Sequence, residues 1–386
     1  MTPRRSPGSR MPPQPGGRRR AAAISAAALM LLGGCTSGKS PAPAEAAEPT
    51  STAAAPLTGS QAAEAFLASY VDDSGRVVRL DQGGDTVSEG QAYAMLAAAA
   101  VSDRGAFDRV WSWTKQNLRR PDGLLSWRWS DGAVVDAESA SDADLDAARA
   151  LLVAGRTFAD PRLMAEGTEL GRLVLDLETV VTGAGRILVA GSWATQAPFA
   201  YNPSYYSPAA TALLAESSGD PRWAELDAGS RAVTVAMLTR ADLPPDWAQV
   251  RPDGGVDAMP GAQGRGQSVR YGYDAARTPI RLAESCTPTD WAVAAGLTEP
   301  LSRAGNAAEL DLGGTPLAEG DSVVAAIAQA AVAAAAGDGD GARGHLLDAD
   351  RIQRDHPTYY GAAWGALGRL ILEGGRLGGC LPLGPG

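Results

Sequence analysis

From about Ser60 onward the chain predicts an all-α fold assembled from helical hairpins. Apolar residues recur at helical spacing in stretch after stretch, runs that alternate with period two are few, and no repeat of about 34 residues marks a solenoid. In chain order the helical stretches are SQAAEAFLASYV, EGQAYAMLAAAAV, AFDRVWSWTKQNL, ADLDAARALLVAGRTF, PRLMAEGTELGRLVLDLETVV, SPAATALLAESS, PRWAELDAGSRAVTVAML, DSVVAAIAQAAVAAAA and TYYGAAWGALGRLILEGG. Their abundant alanine raises helix propensity and suits close helix packing. Loops rich in Gly, Pro and Asp separate them. One short β-hairpin is expected at Arg186 to Trp193, RILVAGSW.

The first 34 residues read differently. They hold six arginines (Arg4, Arg5, Arg10, Arg18, Arg19, Arg20), no acid, and then the apolar run AAAISAAALMLL. A basic region before a short apolar run is the pattern of an export signal. It closes on Leu32-Gly33-Gly34-Cys35, which resembles a lipoprotein box and makes Cys35 the expected lipidation site; an ordinary cleaved signal and full secretion is the alternative. Arg18 to Arg20 also suit a twin-arginine route. Residues 35–59 are rich in Pro, Ala, Ser and Thr and read as a flexible tether, leaving 60–386 as the folded domain.

Loss of residues 1–34 removes six positive charges and takes the formal net charge from -10 to -16. So acidic a protein is a poor partner for nucleic acid, which is bound through clustered Lys and Arg. A neutral or cationic substrate is compatible with it, and a monomer touching the membrane only through its lipid is expected. With Cys35 acylated, Cys286 and Cys380 form an even pair in an oxidising compartment, where a disulfide is expected. No residue spacing resembles a metal site, and His345 and His356 are the only histidines. No cofactor is expected.

Four segments place carboxylates or aromatics where loops meet helices, the usual seat of functional groups. In TVSEGQAYAML, Ser88 and Gln91 have capping-box spacing, which makes Glu89 the first helical residue. The helix dipole alone favours an acid there, and Gly90 after it is expected to leave room beside the carboxyl. In ASDADLDAARALLVAGRTF, Ser141 and Asp144 repeat the capping spacing, and Asp142, Asp144 and Asp146 cannot all face one way. In YGYDAARTPIRLA, Asp274 and Arg277 are close enough to pair, and Pro279 favours a helix starting near Thr278. In YNPSYYSPAA, Asn202, Tyr205 and Tyr206 crowd between two prolines; together with Trp127 and Trp129 of LLSWRWSDG they are of the types that stack on sugars or fill cores.

Taken in order, SEGQAYAML, WSWTKQNL with DGLLSWRWSDG, ASDADLDAARALLVAGRTF, NPSYYSPAA, LPPDW and YGYDAARTPIRLA resemble the successive motifs of glycoside hydrolase family 8, from about Tyr70 to Leu372. The chain departs from the family at Ala147, where Ile or Met is usual, and at Ala92 and Ala94, where glycine is frequent. The resemblance implies an (α/α)6 barrel with an acidic cleft across one end, and endo-acting hydrolysis of a β-1,4-linked glycan with inversion. It implies Glu89 as general acid, Asp274 as general base, Asp142 as the carboxylate that distorts the sugar, and Arg277 as the group orienting Asp274. Trp127, Trp129, Asn202, Tyr205, Tyr206 and Tyr273 are then the expected substrate contacts. Inversion needs carboxyls about 6.5–9.5 Å apart, with a water between base and anomeric carbon.

A general acid must hold its proton, whereas free Glu titrates near about 4.3, so something must raise Glu89. Asp142 is the expected neighbour. β-1,4-Glucan is the expected substrate, with chitosan or xylan as alternatives. A lipid-anchored glycan-binding protein without turnover and a polysaccharide lyase are the competing classes.

Overall fold

A computed structural model describes residues 57–266, 268–380 and 382–383. The basic segment, Cys35 and most of the 35–59 tether lie outside the described residues. Among the described residues there are thirteen α-helices: α1 (Gly59–Tyr70), α2 (Ser88–Ala100), α3 (Arg104–Asn117), α4 (Ser141–Thr157), α5 (Pro161–Leu177), α6 (Pro208–Ser218), α7 (Arg222–Leu238), α8 (Arg277–Ala283), α9 (Pro288–Ala295), α10 (Thr298–Ala304), α11 (Val323–Ala335), α12 (Gly339–Asp355) and α13 (Tyr359–Arg369).

Burial sorts these into two rings. Helices α2, α4, α6, α8, α11 and α13 are buried over most of their length and form a closed inner ring, each packed on the next and α13 on α2. Alanine-rich faces such as AMLAAAA in α2 and VVAAIAQAAVAAA in α11 permit this, because a helix buried all round must accept neighbours on every side. Helices α1, α3, α5, α7, α12 and the short pair α9 and α10 lie outside, most with one apolar stripe turned inward. The expected (α/α)6 barrel is the observed one.

Several local expectations are corrected. Neither predicted capping box forms at α2 or α4; Val87 and Ala140 occupy the cap positions with no side-chain bond. The recruited side chains have tertiary partners instead: Gln91 Oε1 accepts the Val77 amide at 2.6 Å, and Ser141 Oγ donates to the Val189 carbonyl at 2.5 Å. A capping box does form at α1, between Thr58 and Gln61. Helix α5 ends at Leu177, and the residues read as its end form β4 (Thr179–Thr182), paired with β5 (Gly185–Leu188). The hairpin therefore lies earlier than Arg186 to Trp193. The last helix passes into a π-helical turn at Leu370–Gly374.

Two further three-stranded antiparallel sheets were not expected: β1 (Thr86–Val87), β2 (Arg128–Ser130) and β3 (Ala133–Asp136), and β6 (Phe199–Tyr201), β7 (Trp247–Val250) and β8 (Val256–Met259). Their strands hold two to four residues, too few to show alternation. Helix α12 was also missed, although Ala342, Leu346, Ala349 and Ile352 lie buried at helical spacing.

Candidate active site

The N-terminal ends of the inner helices converge on one open cleft. Glu89 is the second residue of α2, Tyr205 lies in the turn before α6, Asp274 and Arg277 stand at the start of α8, Val323 opens α11, and Tyr359 and Tyr360 open α13. Two cavities make up the cleft. The larger, about 570 Å³, is lined by Arg79, Tyr93, Tyr273, Tyr359 and Tyr360 among others; the smaller, about 310 Å³, by Trp127, Trp193, Tyr205 and Trp247. Glu89 and Asp274 line both, so the cavities meet at these two carboxylates.

Glu89 Oε1 accepts a hydrogen bond from Trp127 Nε1 at 3.1 Å, and Ser88 Oγ lies 3.3 Å from Oε2. Burial of its carboxyl pushes the pKa up, while its backbone hydrogen bond, the Arg277 charge and the Trp127 bond pull it down. Burial wins. The expected agent, Asp142, is therefore not the main cause.

Asp274 is held by Arg277, whose Nη2 donates to Oδ1 at 2.8 Å. The Arg277 Nη1 donates both to Asp142 Oδ2 at 2.8 Å and to the Tyr93 hydroxyl at 2.9 Å. Asp142 lies beneath the cleft, 2% exposed, and burial pushes its carboxyl up to about 7 against the pull of Arg277, with Glu89 and other acids raising it further. The guanidinium also sits 5.4 Å from the Tyr205 ring centre and 5.9 Å from that of Trp364.

The family model for glycosyl hydrolases family 8 matches residues 45–336. The chain belongs to glycosyl hydrolase family 8. Among curated relatives it is 34% identical over 222 residues to a probable endoglucanase of Novacetimonas hansenii, covering 56% of this chain and 64% of that one. It is 31% identical over 228 residues to an endoglucanase of Cellulomonas uda, covering 57% and 62%. The match thus spans somewhat less than two thirds of these relatives. Among solved structures, an endo-beta-1,4-glucanase from Acetobacter xylinum superposes with a TM-score of 0.68 at 28% identity, over 81% of this chain and 97% of that one. A family 8 endoglucanase from Klebsiella pneumoniae gives 0.69 at 26%, over 80% and 98%.

Against this family 8 frame, not every expected contact reaches the cleft. Trp127, Tyr205 and Tyr273 line it, but Trp129, Asn202 and Tyr206 do not. Trp129 packs edge-on against Trp113, with Arg76 over its face. Asn202 is buried and caps the turn Pro203–Tyr205 through the Ser204 amide. Tyr206 turns away and its hydroxyl donates to Asp227. Gly90 does not make space for a sugar: a β-carbon there would lie 2.5 Å from the Tyr359 hydroxyl, so the glycine admits a tyrosine.

Sequence reasoning missed Trp193, Trp247 and Tyr360, cleft residues in ordinary apolar contexts, and Asp246 of LPPDW, whose carboxylate contacts the turn carrying Asp274. Only the quoted LPPDW motif hinted at the last. Helix α8 begins at Arg277, one residue before the expected start. Cys286 and Cys380 are joined in a disulfide. Among the described residues no cluster of three or more potential metal ligands occurs.

Proposed function

We propose that this family 8 domain is an inverting, endo-acting hydrolase of β-1,4-glucan chains. The observation that carries the reading is the placing of Glu89 and Asp274 on the walls of both cavities, so that a polymer can lie on either side of the scissile bond. Aromatic side chains line each half: Trp127, Trp193, Tyr205 and Trp247 in one, Tyr273 and Tyr360 in the other. Such faces stack on pyranose rings and exclude water from them.

In this reading Glu89, whose pKa burial raises, gives its proton to the departing glycosidic oxygen. Asp274, oriented by Arg277, takes a proton from the water that attacks the opposite face of the sugar. Asp142 organises the cleavage subsite through its bond to Arg277. Two carboxyls suffice for this chemistry, which needs no metal or cofactor.

Wild type and Glu89→Gln compared on carboxymethylcellulose test the reading. Loss of about 10³-fold or more in kcat, with the fold unchanged by circular dichroism, is expected for removal of a general acid. The first product anomer, followed by NMR, is expected to be inverted; retention overturns the mechanism.

Chitosan is the second substrate reading. Every charged residue lining the smaller cavity is acidic: Glu89, Asp136, Glu138 and Asp274. A panel of glucan, xylan and chitosan decides between them. Export with lipid anchoring at Cys35 is also our reading, supported by the disulfide, which belongs to an oxidising compartment. Release of Cys35→Ser into the medium with wild type retained on the cell is the expected result.

A further inference from the structure

Asp246 is buried beside the cleft and lines neither of its cavities. Its Oδ1 accepts two backbone N–H groups, from Gly272 at 2.8 Å and from Ala275 at 2.8 Å. These amides bracket Tyr273 and Asp274. The Asp246 amide in turn donates to the Arg270 carbonyl at 2.8 Å, and Oδ2 receives Arg270 Nε at 3.3 Å. One side chain therefore ties both ends of the turn on which Asp274 stands.

The arrangement carries a cost that a merely structural acceptor would not need. Asp246 lies close enough to Asp274 for that carboxylate to disfavour the Asp246 charge, and burial with that neighbour pushes Asp246 up to about 6. Gly272 is shaped to it: a β-carbon there would lie 2.6 Å from Asp246 Oδ2, so any side chain would drive the carboxylate out. On the other side, Tyr271 exchanges backbone hydrogen bonds with Leu310 at 2.9 and 2.8 Å, which fixes the segment leading into the turn. The next residue, Trp247, stands in the cleft wall and packs edge-on against Tyr205 at 5.8 Å.

We propose that Asp246 is the positioning residue for Asp274: it clamps the turn from Gly272 to Ala275 so that the Asp274 carboxylate is held at the place of the attacking water. The proposal rests on the reading of Asp274 as general base. Asp246 acts through the backbone, so its loss displaces Asp274 without removing a substrate contact. A displacement of about 1 Å in a reacting group can lower rate about 100-fold.

The test is a double-mutant cycle on the full domain, using an aryl cello-oligosaccharide with a good leaving group and the variants Asp246→Ala, Asp274→Ala and both together. Asp246→Ala is expected to lose about 100-fold in kcat with KM within about threefold. The double variant is expected to match Asp274→Ala, because a clamp has nothing to hold once its carboxylate is gone. Asp246→Asn, which keeps the accepting oxygen, is expected to stay within about tenfold of wild type. Wild-type kcat in Asp246→Ala, a rise confined to KM, or an additive loss in the double variant overturns the clamp while Asp274→Ala is inactive. Wild-type kcat in Asp274→Ala instead overturns the base assignment, and the clamp with it. Where Asp246→Ala does not fold, Gly272→Ala carries the same test from the other side of the contact, with the same loss in kcat expected and wild-type kcat overturning the clamp.

Discussion

Opposing influences act on the Glu89 carboxyl. The positive end of α2, the Arg277 charge and the Trp127 hydrogen bond favour the anion, while burial favours the acid and prevails. The balance can be moved both ways. Trp127→Phe removes a hydrogen bond that stabilises the anion, so the Glu89 pKa rises and the alkaline limb of kcat/KM, where the general acid loses its proton, moves to higher pH. Asp142→Asn removes a negative charge that repels the Glu89 anion and leaves Arg277 less neutralised. Glu89 then becomes more acidic, and the same limb moves to lower pH with reduced activity. A pH profile of each variant checks the pair; a shift in the same direction for both contradicts the balance. Glu89, Asp274 and Arg277 were legible because charged residues at loop-to-helix junctions stand out from an alanine-rich background. Trp129 and Tyr206 were not distinguishable from Trp127 and Tyr205, since an aromatic ring in a cleft and one in a core share the same local sequence.

Helices α4 and α8 meet through a ladder of three buried ion pairs. Asp142, Asp146 and Arg149 on α4 face Arg277 and Arg281 on α8 and Glu284 at its C-terminal cap, with the same spacing of four and three residues on each side. Arg149 donates to both Glu284 oxygens, at 3.0 and 2.8 Å, and to the Leu377 carbonyl, while the Cys380 amide donates to the Glu284 carbonyl. The ladder thus runs from the cleft floor to the disulfide-bound C-terminal segment. It also answers the crowding of acids in ASDADLD: Asp142 and Asp146 share the face toward α8, and Asp144 turns to accept the Leu125 amide at 3.0 Å. Arg149→Met leaves Glu284 buried without its main partner and is expected to destabilise the fold by about 3–5 kcal/mol in urea unfolding. Arg149→Met with Glu284→Met is expected to recover a large part of that loss, because no unpaired charge remains. At this scale the sequence showed the helices but not their facing, since each rung joins residues 135 apart.

The barrel buries a further pair of carboxyls that the proposed chemistry does not use. Asp144 and Glu178 are fully buried, each with one oxygen lacking a protein partner, and burial raises both. Glu178 is pushed from 4.5 up to about 8, with Asp142 and Asp122 raising it and Ser139 and Arg120 lowering it. Between those pH values the unfolded chain releases a proton that the folded chain keeps, so this group's contribution to stability falls as pH rises. Glu178→Gln removes the dependence. Its unfolding free energy relative to wild type is expected to increase from pH 5 to pH 8, measured by denaturant titration; a constant difference contradicts it. Glu178 is absent from the site read in the sequence, because its last helical turn and the strand after it read as one continuous helix through Val181.

The sequence by itself determined the family, the helical content of the barrel and the acids at the starts of its inner helices. These follow from composition, helical periodicity and motif order, all carried by neighbouring residues. The tertiary structure decided which aromatics face the cleft, why Gly90 is a glycine, how Asp142 and Arg277 are paired, and by what cause Glu89 is raised. Each depends on burial and on partners distant along the chain, and for Gly90 that partner is Tyr359. A helical period fixes which side of a helix a residue occupies, but not what lies opposite, and the opposite side sets the protonation of a buried carboxyl.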